Sequence, residues 1–119
     1  MNKKTQILIS GLCGFSAVAI GAFGAHGLRN VLNGAELDTF HTGVLYHLIH
    51  SAVLLALALN GSEKFKSAFI VIFTGTILFP FSLYAYSITG ITALAFITPL
   101  GGVSFLIGWL LIAYKAVKG

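Results

Sequence analysis

The chain has 119 residues, of which 57% are hydrophobic and only 8% charged, with a formal net charge of +4. Soluble domains carry about a quarter charged residues, so the composition argues against a water-soluble domain and for a membrane protein of one domain, residues 1–119. The positive charge is too sparse and scattered to track phosphates, so no nucleic-acid partner is expected.

Four uncharged apolar runs define the predicted elements. The fold class they imply is all-α: an integral membrane four-helix bundle with helices over about 6–25, 35–60, 67–87 and 91–115, each near the roughly 20 residues a span needs. The runs do not alternate in polarity, which favours helices over strands. Lys3 and Lys4 precede the first run, and Ala22-Phe23-Gly24 resembles a signal cleavage site. The length of the run and the three spans after it favour a retained first helix. Ser10, Gly14, Ala17, Gly21 and Gly24 recur at helical spacing on one face of it, which predicts close helix contact. Cys13 lies within this run, and the only cysteine of the chain cannot form an internal disulfide.

After the first helix, Leu28, Val31 and Leu32 share one face, with Arg29 and Asn30 opposite. This predicts a short amphipathic segment in the membrane interface, with Asn33-Gly34 as its stop and the second helix starting near Ala35. The third and fourth helices contain Pro80 and Pro99, each expected to remove a backbone bond and kink its helix. Gly101, Ser104 and Gly108 repeat the small-residue face on the fourth helix.

Lys3, Lys4, Lys64, Lys66, Lys115 and Lys118 fall on one side of a four-span chain, and only Arg29 on the other. The positive-inside rule then predicts an N-in/C-in protein of the cell (plasma or inner) membrane, with both termini cytoplasmic.

Three of the four histidines, His41, His47 and His50, lie between residues 40 and 50, leading into the second apolar run. At 1.5 Å per residue His50 sits roughly 12 Å below Thr42, near the bilayer middle. Polar side chains at that depth need a reason. With Gly21 to Gly27 at the outer end of helix one, and Pro80, Ser82, Tyr84, Thr98, Pro99, Gly101 and Gly102 in the outer halves of helices three and four, the sequence predicts a polar pocket open to the outside. Its candidate ligand-binding residues are His26, Thr42, Tyr46, His47, His50 and Thr98, and its candidate shaping residues are Pro80, Pro99, Gly101 and Gly102. Three alternatives stay open for the histidines: hydrogen bonds across helices, a ligand or proton path, or metal or haem ligation by His47 and His50. Tyr84 and Tyr86 are read as interfacial belt aromatics, and Trp109 as packing. No catalytic set is legible, no cofactor or metal site is assigned, and an enzyme is not the favoured reading.

Gly21-Ala22-Phe23-Gly24-Ala25-His26-Gly27-Leu28, Phe40-x-Thr42-Gly43-x-x-Tyr46-x-x-x-His50, Leu78-Phe79-x-x-Ser82-Leu83-Tyr84 and Ile97 to Trp109 together resemble the YgdD/YwdK-like small membrane proteins, a domain-of-unknown-function family. The resemblance covers nearly the whole chain and implies a small multi-pass membrane protein with no activity carried over. Two positions depart from the pattern. His47 stands where the family usually has glutamine, and Pro80-Phe81 where many members have a small pair. His26 and His50 are therefore the motif-matched histidines. The functional expectation is a protein that binds or passes a small polar or amphiphilic molecule in an outer-leaflet pocket lined by His26 and His50. The rival expectations are a structural or accessory subunit that packs on an envelope complex or self-associates, and a metal- or haem-binding protein.

Overall fold

The computed structural model describes residues 1–118, and these are helical almost throughout. Helix α1 (Lys3–Ala19) continues through a π-helical turn (Ile20–Gly24) into the one-turn helix α2 (Ala25–Leu28). Helix α3 covers Gly34–Asn60, α4 Lys66–Thr89 and α5 Ile97–Lys118, the last two entered through 3-10 turns at Glu63–Phe65 and Thr92–Phe96. Four helical stretches, Lys3–Leu28, Gly34–Asn60, Glu63–Thr89 and Thr92–Lys118, are long and apolar enough to cross a membrane. Each is about 40 Å long, and the molecule measures 49 × 25 × 19 Å.

Local signals fix the ends. The Asn2 side chain accepts from the Thr5 amide at 2.8 Å and opens α1. Asn33 and Glu36 form a reciprocal capping box, each bond 2.8 Å long, at the start of α3. Gly61 (φ 72) and Gly90 (φ 70) close α3 and α4 in the left-handed conformation that glycine adopts without strain.

Two expectations change here. Asn33-Gly34 was expected to end an interfacial segment, and Asn33 instead begins the next helix. The amphipathic segment itself is α2 plus the turn that follows, with Leu28 and Leu32 packed against Phe40, while Val31, Arg29 and Asn30 are exposed. Pro99 was expected to kink a helix interior. It lies in the first turn of α5, just after a 3-10 turn, where a missing N–H and a fixed φ are tolerated. Pro80 is inside α4, as expected.

Each long helix packs on its neighbour in sequence: α1 on α3, α3 on α4, α4 on α5. Helices α3 and α4 form the middle, α1 and α5 the flanks, and the backbones of α3 and α5 stay apart. Small residues set the close approaches. A Cβ on Gly21 would stand 2.9 Å from Val44, and one on Gly24 2.5 Å from Phe40, so the small face of α1 and its π turn lies on α3. A Cβ on Gly101 would stand 2.5 Å from the Phe79 backbone nitrogen, and one on Gly108 would run into the Ile72 side chain. That contact brings the α4 and α5 backbones together, and Ser104 Oγ donates to the Val71 carbonyl at 2.7 Å across it. Such contacts gain dispersion energy where lipid supplies no hydrophobic drive. Large apolar side chains such as Leu8, Leu12, Phe15, Leu106 and Leu110 point outward, as lipid-facing residues do.

One end of the bundle collects the lysines. Lys3 reaches Gly61 in the α3–α4 turn, and that turn meets α5. Hydrogen bonding to Lys66, and repulsion from its charge, lower the pKa of the Met1 amino group from its ordinary value. Arg29, Glu36 and Asp38 occupy the opposite end.

Candidate functional site

His47 is fully buried at mid-length of α3. Gly43, one turn earlier, leaves room for the Tyr84 ring, which a Cβ at Gly43 would meet at 2.8 Å. Tyr84 can therefore reach along α3 and place its hydroxyl 2.9 Å from His47 Nδ1. On the other side Ser16 Oγ lies 3.1 Å from His47 Nε2 and also donates to the Cys13 carbonyl at 2.9 Å. One set of protons satisfies every partner: Tyr84 O–H donates to Nδ1, and Nε2–H donates to Ser16 Oγ. His47 thus joins α1, α3 and α4, with the rings of Phe81 and Tyr84 beside it. Tyr84 is 7% exposed and belongs to this core, which corrects its reading as a belt aromatic.

His50 faces the gap between α3 and α5. The Trp109 indole N–H donates to its Nε2 at 3.1 Å. An indole nitrogen only donates, so Nε2 is bare and Nδ1 carries the proton, which goes to the Tyr46 carbonyl at 2.8 Å. The ring stacks on Phe105 with centroids 3.7 Å apart and planes 14° apart. Tyr46 lies parallel to His50 within 5°. Around these rings runs a groove of about 520 Å³, lined by Tyr46, His50, Phe79, Pro99, Gly102 and Trp109 among others. The Tyr46 hydroxyl, in a residue 38% exposed, has no hydrogen-bond partner among the described residues. A groove of this size, mostly apolar with a few placed polar groups, has the character of a small-molecule site.

The sequence-derived candidates therefore divide. Tyr46, His50, Pro99 and Gly102 share the groove. His47 lies behind it in the core. Ser82 and Thr98 bond each other at 2.6 Å in the α4–α5 seam beside Gly101, and Pro80 is buried with its carbonyl near Gly43. His26 is exposed on α2, and Thr42 is exposed on α3 with its hydroxyl on the Asp38 carbonyl. Since Gly24 packs on Phe40, His26 stands about 15 Å along α3 from His50. A second groove of about 650 Å³ near α2 is lined by Phe23, Gly24, Gly27, Phe40, Tyr84 and Ile88 among others. It is almost wholly apolar, and the hydroxyl of Tyr84 is already bound to His47.

Phe79, Phe105 and Trp109 were not singled out as site residues. The spacing of Phe105 and Trp109, like that of Tyr46 and His50, puts each pair on one helix face, and that was the available signal. A metal held jointly by His47 and His50 would have to displace Tyr84 or Ser16 from the one ring and Trp109 or the Tyr46 carbonyl from the other. No group of three or more His, Cys, Asp or Glu side chains with metal-binding geometry occurs among the described residues.

Four apolar helices of spanning length, joined by short turns and packed through glycine faces, define a small polytopic membrane protein. The family model described as "Protein of unknown function (DUF423)" matches residues 20–102. The chain is 42% identical to the UPF0382 membrane protein YwdK of Bacillus subtilis, over 97% of its length and 98% of that protein. It is 38% identical to a UPF0382 membrane protein of Haemophilus influenzae, over 98% of its length and 96% of that protein. It is 34% identical to the UPF0382 inner membrane protein YgdD of Escherichia coli K12, over 99% of its length and 93% of that protein. The protein belongs to this DUF423/UPF0382 family of membrane proteins. No solved structure matches it.

Proposed function

We propose that the protein binds, or passes, a small amphiphilic molecule in the groove between α3 and α5, with the Tyr46 hydroxyl as its polar contact and the His50 ring as part of its wall. The supporting observation is an aromatic-lined opening beside helix midpoints that offers an unpaired phenol. In lipid, a hydroxyl without a partner is unfavourable, and a ligand group there removes the penalty. His50, tied by Trp109 and by its own helix, gives a rigid wall. In this proposal both termini are cytoplasmic, because six lysines share one end of the bundle. The groove then runs from Pro99 and Gly102 in the outer half down to Trp109.

Trp109 is the only tryptophan in the chain, so its fluorescence reports on this groove. A dibrominated acyl amphiphile, titrated against the protein in nanodiscs, is expected to quench it saturably, and His50→Phe to weaken the saturation. Quenching that rises only in proportion to the bulk amphiphile, in both proteins alike, contradicts the proposal. A stoichiometric protein partner in crosslinked membranes, unaffected by His50→Phe, would favour the accessory-subunit reading instead. Cysteines added at the termini should label only in permeabilised cells, and labelling of intact cells contradicts the orientation.

A further inference from the structure

We infer that the occupant of the α3–α5 groove is a neutral, flat-ringed lipophile bearing a ring carbonyl or hydroxyl and an aliphatic tail, the chemistry of a quinone or quinol lipid. This rests on the proposed groove and narrows its ligand.

The first ground is the shape of the wall. Tyr46, His50 and Phe105 lie nearly parallel: 5° between Tyr46 and His50, 14° between His50 and Phe105, and 16° between Tyr46 and Phe105. Phe79 leans against both Tyr46 and Phe105, with centroids 4.6 and 5.5 Å away, and closes one side. His50 and Phe105 cover each other's faces and are each 4% exposed, so a planar ring would stack on the half-exposed rings of Tyr46 and Trp109 at the edge of this pile, in the offset geometry aromatic pairs prefer. A bulky or branched head touches it at few points.

The second ground is charge. No residue lining the groove carries a formal charge. An ionic head at this depth would be left without a counter-charge, which is expensive in the membrane interior. The head is therefore neutral.

The third ground is the polar inventory. Both His50 nitrogens are engaged, one with Trp109 and one with the Tyr46 carbonyl. The indole N–H has its partner in His50. The Tyr46 hydroxyl is the polar group left over, and it can donate to a carbonyl or accept from a hydroxyl. Tyr46 sits about 18 Å along α3 from Gly34, within a stretch apolar enough to cross a membrane. Beyond the rings the lining turns aliphatic at Val103 and Leu106, where a tail would lie. The proposed step is reversible binding, with no electron transfer assigned to the protein.

The test uses the full chain in nanodiscs, with decylubiquinone as the probe and Trp109 emission as the readout. Saturable quenching is expected, with an apparent Kd raised about fivefold by Tyr46→Phe, the loss of one hydrogen bond. That variant leaves no internal hydrogen bond broken and keeps the ring, so it should fold and melt as the parent does. Decanol, which has the tail without the ring, should not compete. Quinone quenching that only follows its membrane concentration, or an identical Kd in Tyr46→Phe, overturns the inference. If the dibrominated acyl amphiphile saturates while decylubiquinone fails to displace it, the groove holds an acyl chain: the inference falls and the proposed function stands. If neither probe saturates, both fall.

Discussion

His47 and His50 lie three residues apart on α3 and meet opposite surroundings. His47 is enclosed by three helices, and both its ring nitrogens are bound to side chains of other helices. His50 is also buried, but at the edge of a groove, held by Trp109 and stacked on Phe105. The two also differ in what surrounds their partners. The hydroxyls that serve His47 are both paired, while the tyrosine next to His50 offers a free one. A buried polar group that is fully satisfied rigidifies a core. One that borders an opening and an unpaired phenol is, in the proposed function, part of a binding surface. Helical spacing alone places both histidines on neighbouring positions of one helix and cannot separate these roles.

The comparison can be broken most directly at His47. His47→Leu strands the Tyr84 hydroxyl in the core and takes Ser16's partner away, and we expect a loss of about 1–3 kcal/mol in detergent unfolding. His47→Gln keeps a donor and an acceptor and should lose under about 1 kcal/mol. If His47→Leu melts like the parent, the three-helix junction is not structural. Gly43→Ala acts on the same junction from a distance. Its Cβ would stand 2.8 Å from the Tyr84 ring, so the ring must move off His47, and about 1–2 kcal/mol should be lost. Gly27→Ala, with nothing within 4 Å of its Cβ, serves as the neutral control.

At His50 the balance between stability and binding should reverse. His50→Phe keeps a ring on Phe105 but leaves the Trp109 N–H without its acceptor. Thermal unfolding should register about 1 kcal/mol or less, while saturable quenching of Trp109 by a groove ligand is weakened. The smallest effect on folding belongs to Tyr46→Phe, which should leave the melt unchanged and weaken ligand binding about fivefold. A Tyr46→Phe protein that is destabilised as strongly as His47→Leu would erase the distinction between core and groove.

Most of the fold was legible, because lipid imposes its rules locally. An apolar run of spanning length is a helix, and the glycine spacing on the first and fourth spans marks the contact faces seen at Gly21, Gly24, Gly101 and Gly108. What escaped was register and direction. Asn33 reads equally as the end of one segment or the start of another until Glu36 is seen to return its hydrogen bond. Pro99 looks internal until the 3-10 turn before it shows where α5 begins. In the site, the histidines drew notice because they are rare in membranes. Phe79, Phe105 and Trp109 did not, because aromatic residues are ordinary there, and which of them face one another depends on how far α3 and α5 stand apart. The distance between His26 and His50 was hidden for the same reason: both match family motifs, and a motif carries no coordinates.

The most direct measurement is a native mass spectrum of the protein extracted from its own membrane in mild detergent, taken alongside His50→Phe and His47→Gln. A groove that holds an amphiphile predicts a bound small molecule of defined mass on the parent, retained in His47→Gln and reduced in His50→Phe. A parent protein that flies with no bound molecule, or an adduct carried equally by His50→Phe, contradicts the assignment of the α3–α5 groove as the binding site.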